Sequence, residues 1–128
     1  MNPNNQNKMY QWANDLFPIC RSITGEGVRK TLNYCKNLHP EILIKKFQSG
    51  EKVLDWVIPD EWNIKDAYVS KLNGEKIIDF KNNNLHIVSY SIPINKIISK
   101  KELLEHIHTR DDIPDAIPYI TSYYSKDW

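Results

Sequence analysis

The pair Asn73-Gly74 separates two short runs, Ala67 to Leu72 and Glu75 to Phe80. Both residue types tolerate positive φ, which the two central positions of a type I′ turn demand, and that turn matches the twist of paired strands. The sequence therefore predicts an antiparallel β-hairpin at this point. Whatever else the chain forms has to accompany a small antiparallel sheet.

Upstream, the hydrophobic period is that of a helix. Met9, Ala13 and Leu16 fall at i, i+4 and i+7, with Trp12 on the same face and Pro18 as a stop. A short amphipathic helix from Lys8 to Phe17 is predicted, behind a frayed polar tail over residues 1–7. Ile19 to Gly25 reads as a connector. Thr24 is the predicted N-cap of a second helix, and Glu26 sits favourably in its first turn. Val28, Leu32 and Cys35 repeat the spacing, Leu38 closes the stripe, and Pro40 lies beyond. That helix is expected from about Glu26 to Asn37.

After Pro40 the period changes. Ile42, Ile44 and Phe47 predict a strand ended by Ser49-Gly50, and Val53 to Ile58 is a second apolar run closed by Pro59. Past the hairpin, Leu85 to Tyr90 is expected as a strand, with Pro93 placing its continuation at an edge. Ser99-Lys100-Lys101-Glu102 is a capping box that opens a short helix carrying Leu103, Leu104 and Ile107. Ile117 to Tyr124 is expected as a last strand, interrupted by Pro118. The fold class that follows is α+β: two N-terminal helices, then a β-rich small domain with one inserted helix.

Charge narrows the function classes. With 17 basic and 16 acidic residues among 128, the chain has no surplus to capture nucleic acid or an anionic membrane. Arginine occurs only at Arg21, Arg29 and Arg110, so bidentate anion clamps have few donors. Two cysteines, Cys20 and Cys35, make no disulfide framework and are expected as buried small hydrophobes rather than reactive groups. The polar start lacks the apolar core of a signal peptide, so a cytoplasmic location is the expectation.

Candidate chemistry is sparse. His106-x-His108 would point two rings to one face of a strand, but here it follows a helix, where i and i+2 diverge by about 200°. His39 is expected at a helix C-terminus and His86 as a half-buried, hydrogen-bonded residue. Asp55, Asp60 and Glu61 flank Trp56 and Trp62, and acids beside turn prolines are usually solvated. Trp56, Trp62, Tyr68 and Tyr90 suit either a sugar-stacking platform or, more often, a β-domain core. No nucleophile elbow, P-loop, dinucleotide fingerprint, Cys-x-x-Cys or His-Glu-x-x-His motif is present.

Four strings carry a resemblance. They are Phe17-Pro18-Ile19-Cys20-Arg21-Ser22-Ile23-Thr24-Gly25-Glu26-Gly27-Val28-Arg29, the run Asp55 to Ile64, Tyr90-Ser91-Ile92-Pro93, and Pro114 to Tyr124. Together they resemble the N-terminal part of M28-like zinc aminopeptidases that carry domain of unknown function 4910 with an inserted domain of unknown function 2172. The resemblance implies a peptidase domain beginning over residues 1–50, a β-rich insert over 51–118, and a return strand over 119–128. It implies zinc in the full-length family but no ligand in this chain, because the metal-binding residues would lie beyond Trp128.

The expected function is therefore that of an N-terminal segment of such an enzyme, without a catalytic residue or metal ligand of its own. Its expected partners are a complementary peptidase-domain chain or further copies of itself. Residues expected to border substrate are Arg21 and Ser22 in the connector, and Thr121, Ser122, Tyr123 and Tyr124 at the hydroxyl-rich end. Structural roles for these polar groups are the alternative. A free-standing β-rich module that binds a protein or carbohydrate is the rival function, and a small enzyme built on His106 and His108 is a third.

Overall fold

The structure, a computed structural model, describes residues 3–122, with side chains over 7–122. It is an α+β chain that divides into two compact units, Met1–Asn63 and Ile64–Trp128.

The first unit opens with helix α1, Pro3–Leu16. It starts earlier than expected, so residues 3–7 are helical rather than a frayed tail. Proline suits this position because its fixed φ is helical and its missing N–H would have had no partner there. Pro18 ends the helix as predicted. The Leu16 carbonyl at that end accepts from Ile19 N–H at 3.2 Å and from Arg21 Nη1 at 2.9 Å. Helix α2 runs Glu26–Leu38, and Tyr34 Oη donates to Asp15 Oδ2 at 2.6 Å, tying it to α1.

The predicted strand over 42–47 does not form, because no second strand among the described residues lies beside it to take its backbone hydrogen bonds. The apolar run after it folds back on itself. Strands β1 (Lys52–Val53) and β2 (Trp56–Val57) pair antiparallel with Val53 opposite Trp56. The two-residue turn holds Leu54 at φ 58°, a left-handed position that ordinarily takes glycine.

The second unit contains the hairpin foreseen around Asn73-Gly74. Strand β3 (Tyr68–Ser70) pairs with β4 (Lys76–Asp79), and a register shift lies between Val69 and Ser70. The turn is not type I′. Only Gly74 has positive φ (87°), and its N–H donates to the Lys71 carbonyl at 3.0 Å. Lys71 N–H donates to Glu75 O at 2.9 Å, which gives the longer loop closed by a left-handed glycine. Asn73 contributes its side chain instead, accepting from Glu75 N–H at 3.0 Å.

Two further expected strands are absent. At Leu85–Tyr90 the Asn83 carboxamide accepts from Leu85 N–H at 2.9 Å and turns the chain into a 3₁₀ helix, Asn84–His86. Short polar side chains divert backbone in this way. Residues 117–122 form no strand, and Tyr123 and Tyr124 lie outside the described residues. Helix α3, Lys100–Leu104, does start at Ser99, whose Oγ accepts from Glu102 N–H at 3.2 Å. The capping box is half made, because Glu102 pairs with Lys96 at 2.7 Å rather than reaching back.

Burial is thin. Among the described hydrophobic side chains only Tyr90 is buried, at 3% exposure, while Phe17 (77%) on the first unit and Tyr119 (89%) on the second stand in solvent. Large apolar side chains therefore stand uncovered on each unit.

Leu54 offers a direct check on the first hairpin. The left-handed conformation costs an L-residue roughly 1–2 kcal/mol, and this side chain is 90% exposed, so little packing is lost with it. Leu54→Gly is expected to raise the unfolding free energy from urea denaturation by up to about that amount, with a correspondingly higher midpoint. A lowered midpoint would mean that the turn is not left-handed.

Candidate functional site

The residues singled out in the connector meet the Pro59–Asn63 stretch, and glycine makes the approach feasible. A Cβ on Gly27 would stand 2.0 Å from the Cys20 carbonyl oxygen, and one on Gly25 would stand 2.6 Å from the Trp62 carbonyl. Gly25 is also at φ 108° and is the N-cap of α2. It replaces Thr24, which was expected there. Thr24 Oγ1 instead donates to the Asp60 carbonyl at 3.1 Å. The orphan N–H of Glu26 is satisfied from outside the helix by Asn63 Oδ1 at 2.7 Å.

A charged cluster lies beside this cap. Arg29 Nη2 donates to Glu61 Oε2 at 2.8 Å, Nη1 donates to the other carboxylate oxygen, and Nε donates to Glu26 Oε2 at 2.9 Å. The fork of Arg29 holds the Glu61 carboxyl below its usual range, and the two acids raise Arg29 further. A depressed carboxyl stabilises the fold above its ordinary pKa and loses that contribution as pH falls through the folded value. Both partners are exposed, so the pair sets orientation more than stability.

Arg21 and Ser22 lie at this junction with their polar atoms engaged. Arg21 Nη1 donates to Leu16 O and to Thr31 Oγ1 at 3.3 Å. Ser22 Oγ donates to the Thr24 carbonyl and to Trp62 O at 3.3 Å. Its proton faces carbonyl acceptors, an arrangement that does not generate a nucleophile. Cys20 is half-buried, and burial pushes its thiol up against the opposing pull of Arg21, leaving little thiolate at neutral pH.

In the second unit Ser122 Oγ donates to the Ser89 carbonyl at 2.7 Å, and Thr121 is exposed beside it. The other two expected substrate-border residues, Tyr123 and Tyr124, fall outside the description. Each pair therefore stands on its own unit.

The remaining candidates disperse. His39 is the C-cap of α2, donating its N–H to Cys35 O, with Glu41 beside its ring at 3.3 Å. His86 Nδ1 lies 3.1 Å from the Asp79 carbonyl. His106 is half-buried and His108 exposed after α3. Lys76 Nζ sits 4.4 Å over the Tyr68 ring, and buried Tyr90 offers no face for a sugar. No three His, Cys, Asp or Glu groups among the described residues could share a metal ion, so these residues do not fit zinc. No helix among them is long and apolar enough to cross a membrane.

Known proteins put this geometry in a family. A domain of unknown function, DUF2172, matches residues 61–128. The chain belongs to this family. The DUF2172 match begins at Glu61, so its first three residues include the Arg29 partner and the cap of α2. A Clostridium acetobutylicum protein, named for polysaccharide biosynthesis and an aminopeptidase-like domain, is 52% identical over 121 residues. That alignment takes in 94% of this chain and 28% of the relative. A crystal structure from the same organism, of a protein named as a peptidase, superposes with a TM-score of 0.92 at 50% identity. It covers 98% of this chain and 29% of that one. The DUF2172 chain thus spans under a third of the length of these relatives.

Sequence reasoning missed Asn63, Gly27 and the Arg29–Glu61 pair. The only local signal was the three-residue spacing of Glu26 and Arg29; nothing near Glu61 or Asn63 pointed back to α2.

Two outcomes follow. Asn63→Ala is expected to cost about 1 kcal/mol in chemical denaturation, the usual value of an N-cap acceptor, while Asn63→Asp retains most of it. Equal loss in both variants would remove the capping role. Separately, the Asp15 carboxylate pushes the Tyr34 phenol from 10.0 up to about 12. This raised group stabilises fully below pH 10 and loses its contribution as pH rises through about 12. Ultraviolet titration, differenced against Tyr34→Phe, is expected to show that late phenol, and Asp15→Asn should return it toward 10.

Proposed function

We propose that this chain is the N-terminal segment of an M28-like, zinc-dependent aminopeptidase, with a peptidase domain that carries domain of unknown function 4910. The observation that carries this reading is an asymmetry: half-identity over nearly the whole chain, yet only 28% of the aminopeptidase-like relative covered. The exposed apolar surface supports it, since a segment that continues into a larger domain leaves such faces for that domain to cover.

On this reading the chain is inactive alone. Residues 1–50 begin the peptidase domain, 51–118 form an insert and 119–128 return to it. The metal and its carboxylate base belong to further polypeptide, where zinc would activate water for hydrolysis of an N-terminal peptide or related amide bond. The relative's name couples polysaccharide biosynthesis to an aminopeptidase-like domain. An amide on a sugar-linked substrate in the cytoplasm is the substrate class this favours. Arg21, Ser22 and Thr121 to Tyr124 would border that substrate, supporting groups that reach it from elsewhere.

The test is an aminoacyl p-nitroanilide assay with zinc present, combined with zinc calorimetry. The 128-residue chain is expected to give no turnover above buffer and no stoichiometric zinc uptake. Turnover, or stoichiometric uptake lost in His108→Ala, would overturn the proposal. A monodisperse, sharply melting monomer with no exposed apolar patch would favour the free-standing module instead.

A further inference from the structure

Residues 42–47 carry a strand pattern without a sheet. Ile42 and Ile44 are half-buried, and Leu43 between them is 85% exposed, an alternation of period two. The backbone groups of Leu43, Ile44, Lys45, Lys46 and Phe47 make no hydrogen bond among the described residues. Ile42 N–H goes back to His39 O at 3.1 Å, and Gln48 N–H goes forward to Glu51 Oε2 at 3.0 Å, so the free stretch is bounded on both sides.

Unpaired backbone of this kind is a template for another strand, and adding one is a common mode of association. The composition is specific about the site it suits. Ile42-Leu43-Ile44 is continuously apolar, which marks strands covered on both faces rather than edges with one wet face. One face is already half-covered through Ile42 and Ile44, whereas the Leu43 face has nothing over it.

We propose that residues 42–47 are a β-strand that completes a sheet in the part of the longer protein that this chain does not span. This rests on the reading of a longer aminopeptidase-like protein. The occupant is argued from the solved relative, which keeps this fold across 98% of the chain while carrying more than twice as much polypeptide besides. Strands on both edges would satisfy five residues' worth of backbone groups, and a layer packed on that sheet would cover Leu43.

Amide hydrogen exchange tests this in two settings: the 128-residue chain, and a chimaera in which it replaces the matched part of the Clostridium acetobutylicum protein. The amides of residues 43–47 are expected to exchange near the unprotected rate in the chain alone. In the chimaera they are expected to slow by about 100-fold or more, as paired core strands do. Lys45→Pro and Lys46→Pro each delete one donor, and at least one is expected to lower the chimaera's melting temperature while leaving the isolated chain's unchanged. Protection already present in the isolated chain, whether internal or from self-association, overturns the proposal. A folded, active chimaera with unprotected amides overturns it while sparing the proposed function. A chain that is itself a zinc peptidase sinks the function first. Should the chimaera be insoluble, the aligned amides of the intact Clostridium protein decide, and lack of protection there counts against the strand.

Discussion

Gly27 can lie against the Cys20 carbonyl only because it has no Cβ. That approach folds the connector tightly onto the start of α2. Gly25, at positive φ, then brings the same corner against Trp62 and Asn63. Once the backbones are this near, Asn63 can reach the Glu26 N–H, Thr24 can reach Asp60, and Arg29 can fork onto Glu61. The first unit is therefore organised by backbone proximity and hydrogen bonds more than by a packed interior. Any side chain at either glycine would push the two segments apart and leave a helix terminus uncapped.

This economy has a counterpart in what stays uncovered. Helix α2 buries none of its residues despite its apolar stripe. Salt bridges between exposed partners cannot replace that missing burial, since each contributes little against solvent and salt. The relatives are more than three times as long as this chain. The connector's Arg21 and Ser22 are bonded inward, where they hold its shape.

Local signals were readable where a few neighbouring residues decide the outcome. Pro18 stops α1, the Val28–Leu32–Cys35 stripe forms α2, and Ser99 caps α3. The Asn73-Gly74 hairpin is present, though its turn uses one left-handed residue instead of two. The unreadable parts share a cause. Asn83 captured a backbone N–H that a strand at Leu85 needed, and Val53 to Ile58 folded at Leu54, which no turn propensity marks. Period-two spacing over 42–47 and 117–122 showed what those residues could pair with, not whether a partner is present.

Sequence alone determined the α+β class, the helix stops, the position of the hairpin and the resemblance to a peptidase family. These depend on residue types within about one or two turns of each other, where sterics and capping act directly. Tertiary structure decided the identity of the α2 cap, the Arg29–Glu61 pairing, and which apolar runs become strands. Those outcomes depend on groups more than thirty residues apart in the chain, or on a second strand, and no local pattern encodes a distance across the fold.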